Sequence, residues 1–242
     1  MTDQNRRKVL QAVLLAGSVS AAKPTSSNAA GTSSIWPPYV SLTNFGGKPN
    51  ESKFDNTPAL NAALAQQVTN LYVPRGTWHF RTKPNNLTYP LEILGDGFSL
   101  SYLVRDYVPK SDQDGLLTIR TKDCRISRLG VGAGHGTAGG AGIALISDTA
   151  AMAGFTIIED VYVSFDHSAP GGTWSNALNV DGSANTSTPI GARDIEIRNC
   201  SLFASTNAAC RISGGVAVSI RGGGLFLRAA RPADCRLQEP MP

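Results

Sequence analysis

Apolar residues in this chain recur in a short template rather than in helical or long alternating runs. The pattern Ile-x-x-Φ-x-Φ, with Φ apolar or small, fits four times: Ile126, Leu129 and Val131; Ile158, Val161 and Val163; Ile197, Cys200 and Leu202; Ile220, Gly223 and Leu225. The spacings are 32, 39 and 23 residues, so the extra length loops out between units, as solenoid insertions do. Each row is preceded by another apolar strand: Leu116 to Ile119, Ile143 to Ile146, Ala177 to Val180, and Cys210 to Ile212. One such unit cannot bury its apolar face. Stacking at about 4.8 Å sets each Ile over its counterpart and turns four rows into one core. The pattern predicts an all-β coil of parallel strands over about residues 36–227, with two strands per unit. A β-sandwich is the competing reading, and no Asn-Gly hairpin signal separates the strand pairs. Cys200 falls in the column of Leu129 and Val161 and is read as a buried, inert thiol.

Upstream the pattern changes. Trp36 to Leu42 alternate as a short strand, and Asn44 to Asn50 read as a turn. Asp55, Asn56 and Thr57 supply capping side chains and Pro58 suits the first helical position. Ala59, Leu60, Ala62, Ala63, Leu64 and Ala65 then predict a small apolar helix ending near Gln67. Leu71-Tyr72-Val73 is a strand, and Pro74-Arg75-Gly76 turns into Thr77-Trp78-His79-Phe80.

These elements, Phe45-Gly46-Gly47, then Asp55-Asn56-Thr57 with the Ala-rich helix, Val73-Pro74-Arg75-Gly76-Thr77-Trp78 and Gly95-Asp96-Gly97, resemble in order and spacing the pectate-lyase-like superfamily of right-handed parallel β-helices. Within it they look like the bacteriophage tailspike depolymerases. The resemblance covers about sixty residues and speaks for fold more than for chemistry. It implies a single-stranded β-helix whose N-terminal end is closed by the helix. It also implies a bacterial surface polysaccharide as partner, association into a homotrimer, and a place on the virion tail or the host cell surface. The Gly-Asp-Gly usual before the capping Asp is replaced by Lys48-Pro49-Asn50-Glu51. Members of this type run longer, so the chain reads as a shortened version whose last rung, after Leu227, has no cap.

At the amino end, Arg6-Arg7-Lys8 precede the apolar run Val9 to Gly17, and Ser20-Ala21-Ala22 offer small residues for cleavage. Residues 1–22 read as a signal-like segment, similar to a twin-arginine export signal, or as an anchoring amphipathic helix. The run is too short to span a bilayer, so no membrane is expected in the mature form. Residues 23–35 form a linker. Charged residues make up 17% of the chain, against 25 Gly and 14 Pro, which argues against coiled coil and acidic disorder. The formal charge is +4, of which the first 22 residues hold half, so no nucleic-acid footprint is present. Cys124, Cys200, Cys210 and Cys235 are too scattered for zinc.

Parallel stacking also aligns polar residues. With Ala144-Leu145 set over Ala177-Leu178 and Leu116-Leu117, Arg120, Asp148 and Asp181 fall in one column. Two carboxylates one rung apart would lie roughly 5 Å from each other, near the separation used by retaining glycosidases. Such crowding splits their pKa values into an acid and a nucleophile or base, with Arg120 holding an acidic sugar. The competing reading is an Arg-Asp ladder in which Asp181-Gly182 only turns the chain. A second group, Glu159, Asp160, Asp166 and His167, flanks Tyr162 to Phe165. Glu159 is expected to point outward beside Arg198 as a cross-rung ion pair, or to bind substrate with Asp166 and His167. Trp174, in the loop from Ser168 to Ser175, either stacks on a sugar ring or anchors the core. Gly130 to Gly142, with His135, lack the order of a phosphate-binding motif and read as an inter-rung loop. No cofactor or metal is assigned, because Asp148, Asp181 and Arg120 only partly meet the needs of calcium-dependent lyase chemistry.

The expected function is a tailspike-type protein that binds and cleaves a bacterial polysaccharide, glycosidase before lyase. A secreted pectate-lyase-like enzyme and a non-catalytic glycan-binding adhesin are the alternatives.

Overall fold

The computed structural model describes residues 38–134, 136–146, 154–165, 172–182, 193–204, 206–214 and 217–227. The signal-like segment, the linker, the tail after 227, Asp148, Asp166, His167 and Cys235 lie outside the described residues. The chain enters through β1 (Val40–Ser41) and a 3-10 turn at Leu42–Phe45 closed by Gly46 at φ 84°. Helix α1 (Thr57–Ala65) buries Ala59, Leu60, Ala63 and Leu64 in the common core. Next come β2 (Asn70–Val73) and β3 (Gly76–Phe80). Three-strand sets follow: β4 (Glu92–Gly95), β5 (Ser101–Arg105) and β6 (Gly115–Ile119); then β7 (Cys124–Ser127), β8 (Gly130–Ala133) and β9 (Ala141–Ile146). The next set is β10 (Gly154–Glu159), β11 (Tyr162–Phe165) and β12 (Asn176–Gly182), followed by β13 (Arg193–Arg198), β14 (Ser201–Ala204) and β15 (Ala208–Gly214). β16 (Ala217–Arg221) and β17 (Gly224–Leu227) complete the described strands.

The first strand of each set joins sheet A, the second sheet B and the third sheet C. The paired strands run parallel, so the chain visits three sheets in fixed rotation, the path of a parallel solenoid. There are three strands per turn, not two. The template Ile-x-x-Φ-x-Φ conceals a corner, because its Ile lies on sheet A and its last Φ on sheet B. Each corner residue, Arg128, Asp160 and Asn199, stands two positions after the Ile with φ of 57°, 52° and 50°, and Gly222 takes the last place at 68°. Left-handed backbone costs a non-glycine residue about 1–2 kcal/mol. Here hydrogen bonds across the rungs offset it: Arg128 N donates to Glu159 O and Asp160 N to Arg198 O, both at 3.0 Å, and Asn199 N to Arg221 O at 2.9 Å.

The inner columns stack as the apolar pattern predicts. Ile126 pairs with Ile158, Ile158 with Ile197, and Ile197 with Ile220. On sheet B, Val131, Val163, Leu202 and Leu225 form the matching column. Leu71 and Ile93 extend the first upstream, and Trp78 and Leu103 the second. The Ile93–Leu103 row escaped the template because the corner between β4 and β5 holds five residues, Asp96 to Leu100, and in the first row the inward Trp78 follows Leu71 by seven positions instead of five. The glycine-rich stretch is also more ordered than a loop: Gly130 and Gly132 lie in β8 beneath the Tyr102 ring. A Cβ on Gly130 would come 2.1 Å from Tyr102 Cδ2. Glycine is needed there for that close approach, and Tyr102 Oη meets Ser164 Oγ at 2.6 Å.

The two ends differ. The free edge of β3 is closed by side chains: Thr77 N donates to Asn50 Oδ1 at 2.9 Å, Arg81 N to Asp55 Oδ1 at 3.0 Å, and Asn56 Nδ2 to His79 O at 3.2 Å. Asn56 is therefore engaged with the sheet and does not cap α1 with its side chain, as the sequence suggested. At the opposite end Ile212, Ile220 and Leu225 continue the inner columns while remaining 46%, 42% and 50% exposed.

Two expectations follow from this asymmetry. Ile158→Ala, in the middle of a column, costs about 2–5 kcal/mol in urea unfolding, whereas Ile220→Ala on the last described rung costs clearly less. Burial pushes the Asp55 carboxyl up, but hydrogen bonds from Thr57, Arg81 and Thr82 outweigh it and hold it below its ordinary value. A carboxyl depressed in the fold stabilises above its unfolded pKa, near 3.9, and that contribution is lost as pH falls through the folded value. Asp55→Asn therefore flattens the fall in stability measured below about pH 4.

Candidate functional site

On sheet C, alternation sends Leu178 and Val180 into the core and places Asn179 and Asp181 on the opposite face. The register there differs from the one assumed from the sequence. Ile143 pairs with Leu117 and Leu178, and Ala144 with Thr118 and Asn179. This is a two-residue slip, which preserves which residues point inward and so is invisible to apolar patterning. Asp181 pairs with Ile146 on one side and Ser213 on the other. Arg120 follows Ile119, which pairs with Leu145, so it continues the Asp181 column two rungs away, roughly 9.6 Å. Ile146 occupies the rung between them. Arg120 and Asp181 thus share a column, and the place given to Asp148 in that column belongs to an apolar side chain.

Asp181 is only 5% exposed. Gln113 Nε2 donates to its Oδ2 at 2.5 Å and Ser213 Oγ to its Oδ1 at 3.2 Å. Gln113 belongs to the segment 107–114, which crosses the outer face of sheet C. Asn179 Nδ2 reaches Asp112 O at 3.5 Å, and Asn207 Nδ2 reaches Asp112 Oδ2 at 3.2 Å. Asp114 anchors this segment through Lys83 and through the Lys110 N–H at 2.7 Å. Burial pushes its carboxyl up, and the bonds from Lys83, Lys110 and Ser111 hold it below the usual range. The result is a patch of carboxylates, amides and hydroxyls around a nearly buried acid. Asn179 Oδ1, itself buried, has no hydrogen-bond partner among the described residues.

Trp174 is not a surface platform. It is fully buried, its Nε1 donates to Ser164 O at 2.6 Å, and the Arg105 guanidinium lies 4.1 Å over its ring. A ring with no exposed face cannot stack on a sugar. Arg105 is buried as well, bonding Gly139 O at 2.7 Å and Thr173 O at 3.0 Å. Burial lowers its pKa to about 10. Together Arg105 and Trp174 tie down the connections from sheet B to sheet C.

Glu159 sits opposite Arg198, as expected, but its ion pair is with Arg125 of the preceding rung at 2.6 Å. Arg198 instead grips Glu196, and Arg221 Nε approaches Glu196 Oε1 at 3.7 Å. The hydrogen bond from Arg198 holds the Glu196 carboxyl below its ordinary value. Asp160 serves the corner described above.

One pair was missed from the sequence: His79 Nδ1 and Asp106 Oδ2 are 2.7 Å apart. Nothing local links residues 27 apart; the β3–β5 register, with His79 opposite Val104, brings them together. Also unforeseen is an aromatic row on sheet B, Phe98, Tyr162, Phe203 and Phe226, with centroids 5.8, 5.4 and 4.3 Å apart in succession. Phe203 and Phe226 are nearly parallel, at 8°, so these rings cover each other's faces. Among the described residues no cluster of His, Cys, Asp or Glu could hold a metal ion.

No family model and no curated protein matches the chain. Among solved structures, tailspike protein 3 of bacteriophage CBA120 is similar at 16% identity, over 96% of this chain and 42% of that one, with a TM-score of 0.36. Geobacillus virus E2 ORF18 is similar at 15% identity, over 74% of this chain and 52% of that one, with a TM-score of 0.29. The chain thus spans about half or less of either structure.

Burial raises the Cys200 and Cys210 thiols to about 11, so native protein treated with iodoacetamide at neutral pH leaves both unmodified, as read by peptide mass spectrometry. Trp174→Phe lowers the thermal midpoint by several degrees, since the ring acts through the core.

Proposed function

We propose that the chain is a right-handed, single-stranded parallel β-helix of tailspike type, closed at its N-terminal end by α1, that binds and cleaves a bacterial surface polysaccharide along sheet C. Right-handed crossovers between parallel strands are the strong rule, and the resemblance of residues 45–97 to the tailspike type supports the assignment. The observation that carries the chemistry is Asp181, a nearly buried carboxylate on the outer face of sheet C that accepts hydrogen bonds from Gln113 and Ser213. Around it lie the amides and carboxylates that sugar hydroxyls bond to. Asp181 acts as the acid or base, Arg120 in the same column binds a negatively charged substituent, and Asp148 supplies the second carboxylate from the connection after β9. Glycosidic hydrolysis is the favoured reaction, because it needs two carboxyl groups and no cofactor. The same resemblance implies a homotrimer placed on a virion tail.

Incubation with a panel of bacterial capsular polysaccharides tests the reading. Hydrolysis gives new reducing ends alone, and a lyase adds ultraviolet absorbance from unsaturated products. Asp148→Asn and Asp181→Asn each slow depolymerisation by about a hundredfold or more. If both leave it unchanged, the site assignment is wrong; binding without any cleavage identifies an adhesin instead.

A further inference from the structure

The outer face of sheet A carries a groove of about 270 Å³ that the chemistry above does not use. It is built by register. Phe155 pairs with Asp194, and Glu196 with Ser219, so an aromatic ring, two carboxylates and a hydroxyl are set side by side on adjacent rungs. Arg221 closes one side.

These groups have different duties. Glu196 is nearly buried and engaged by Arg198, whose hydrogen bond keeps it ionised. It therefore acts as a fixed support that orients guanidinium groups. Arg221 touches it only at 3.7 Å through Nε and leaves the rest of a 75% exposed side chain facing the groove. Phe155 is 43% exposed, and Asp194 is exposed beside it.

We propose that this groove is a second, non-catalytic glycan site that takes a carboxylate-bearing sugar unit. The Phe155 ring packs on the apolar C–H face, Asp194 and Ser219 bond ring hydroxyls, and the Arg221 fork pairs with the sugar carboxylate. The groove lies at the small end of ligand-site volumes and fits one or two sugar rings. Lying on a different sheet from Asp181, it holds a chain rather than cuts it. The inference rests on the glycan-binding reading for the kind of ligand, but not on the chemistry assigned to Asp181.

The probes are tri-galacturonate and neutral maltotriose, titrated calorimetrically into the full chain at low and high salt. Tri-galacturonate binds with a Kd near 1 mM or below, maltotriose more weakly, and the difference shrinks with added salt. Arg221→Gln and Phe155→Ala each weaken tri-galacturonate by about tenfold or more, while Arg125→Gln, on the same face but outside the groove, does not. Both groove side chains are substantially exposed, and an unchanged thermal midpoint verifies that each variant folds. Equal affinity for the two probes, no binding, or binding indifferent to both groove substitutions overturns the proposal. The two readings fail separately: polysaccharide cleavage that persists when no groove binding is found leaves the depolymerase assignment standing. Arg221-dependent binding with no cleavage of any polysaccharide leaves only the groove.

Discussion

Inward apolar side chains stacked in register hold this molecule together, and nearly every other feature follows from keeping that register. Leu71, Ile93, Ile126, Ile158, Ile197 and Ile220 form one continuous column although they are drawn from 150 residues of sequence. A strand slipped by one residue would expose its apolar set to water. From Ile126 onward the corners therefore repeat in the same place on each rung, which explains the left-handed residues two positions after Ile126, Ile158, Ile197 and Ile220 and the backbone bonds that join one corner to the next. Tyr102 imposes the same discipline on the outer surface, where its ring demands glycine on the neighbouring strand.

Stacking treats charge differently from apolar surface. A column of like residues is favourable for isoleucine and unfavourable for charge, so where Arg198 lies in register with Arg221 on sheet A a carboxylate of the next outward column, Glu196, sits within reach of both. Glu92 and Glu159 flank Arg125, and Glu196 sits between Arg198 and Arg221. Most of these pairs are partly exposed and individually worth little; their consequence is to fix side-chain directions. The groove is a by-product of that ordering, because Glu196, fixed by Arg198, lies at its floor while Arg221 approaches from the next rung.

The legible part of the sequence was the part governed by period. The isoleucine and valine columns, the strands that feed them and the burial of Cys200 all follow from apolar spacing. What spacing could not give was anything that leaves the inside-outside alternation unchanged. The template treated Ile126 to Val131 as one strand although Arg128 turns a corner within it, so a three-sheet coil looked like two strands per unit. On sheet C the two-residue slip kept Leu178 inward in either register, yet it decided whether Asp181 neighbours a carboxylate or Ile146. Trp174 shows the same limit. A Gly-Pro-rich loop suggests exposure, and only the fold reveals that Arg105 waits beneath it. The His79–Asp106 pair left no sequence signal because it is made wholly by rung geometry.

The electrostatics also sort the acids by what they can do. A carboxylate hydrogen-bonded by arginine is stabilised in its charged form, and Glu196 is displaced downward for that reason. Such a group holds a proton poorly at neutral pH and makes a weak general acid. Asp181 on sheet C instead accepts hydrogen bonds from Gln113 and Ser213. The arginine contact that fixes Glu196 on sheet A therefore makes that carboxylate unsuited to donating a proton. A rung that turns through three sheets presents three separate surfaces, so the groove on sheet A and the Asp181 patch on sheet C lie on different ones without any additional element.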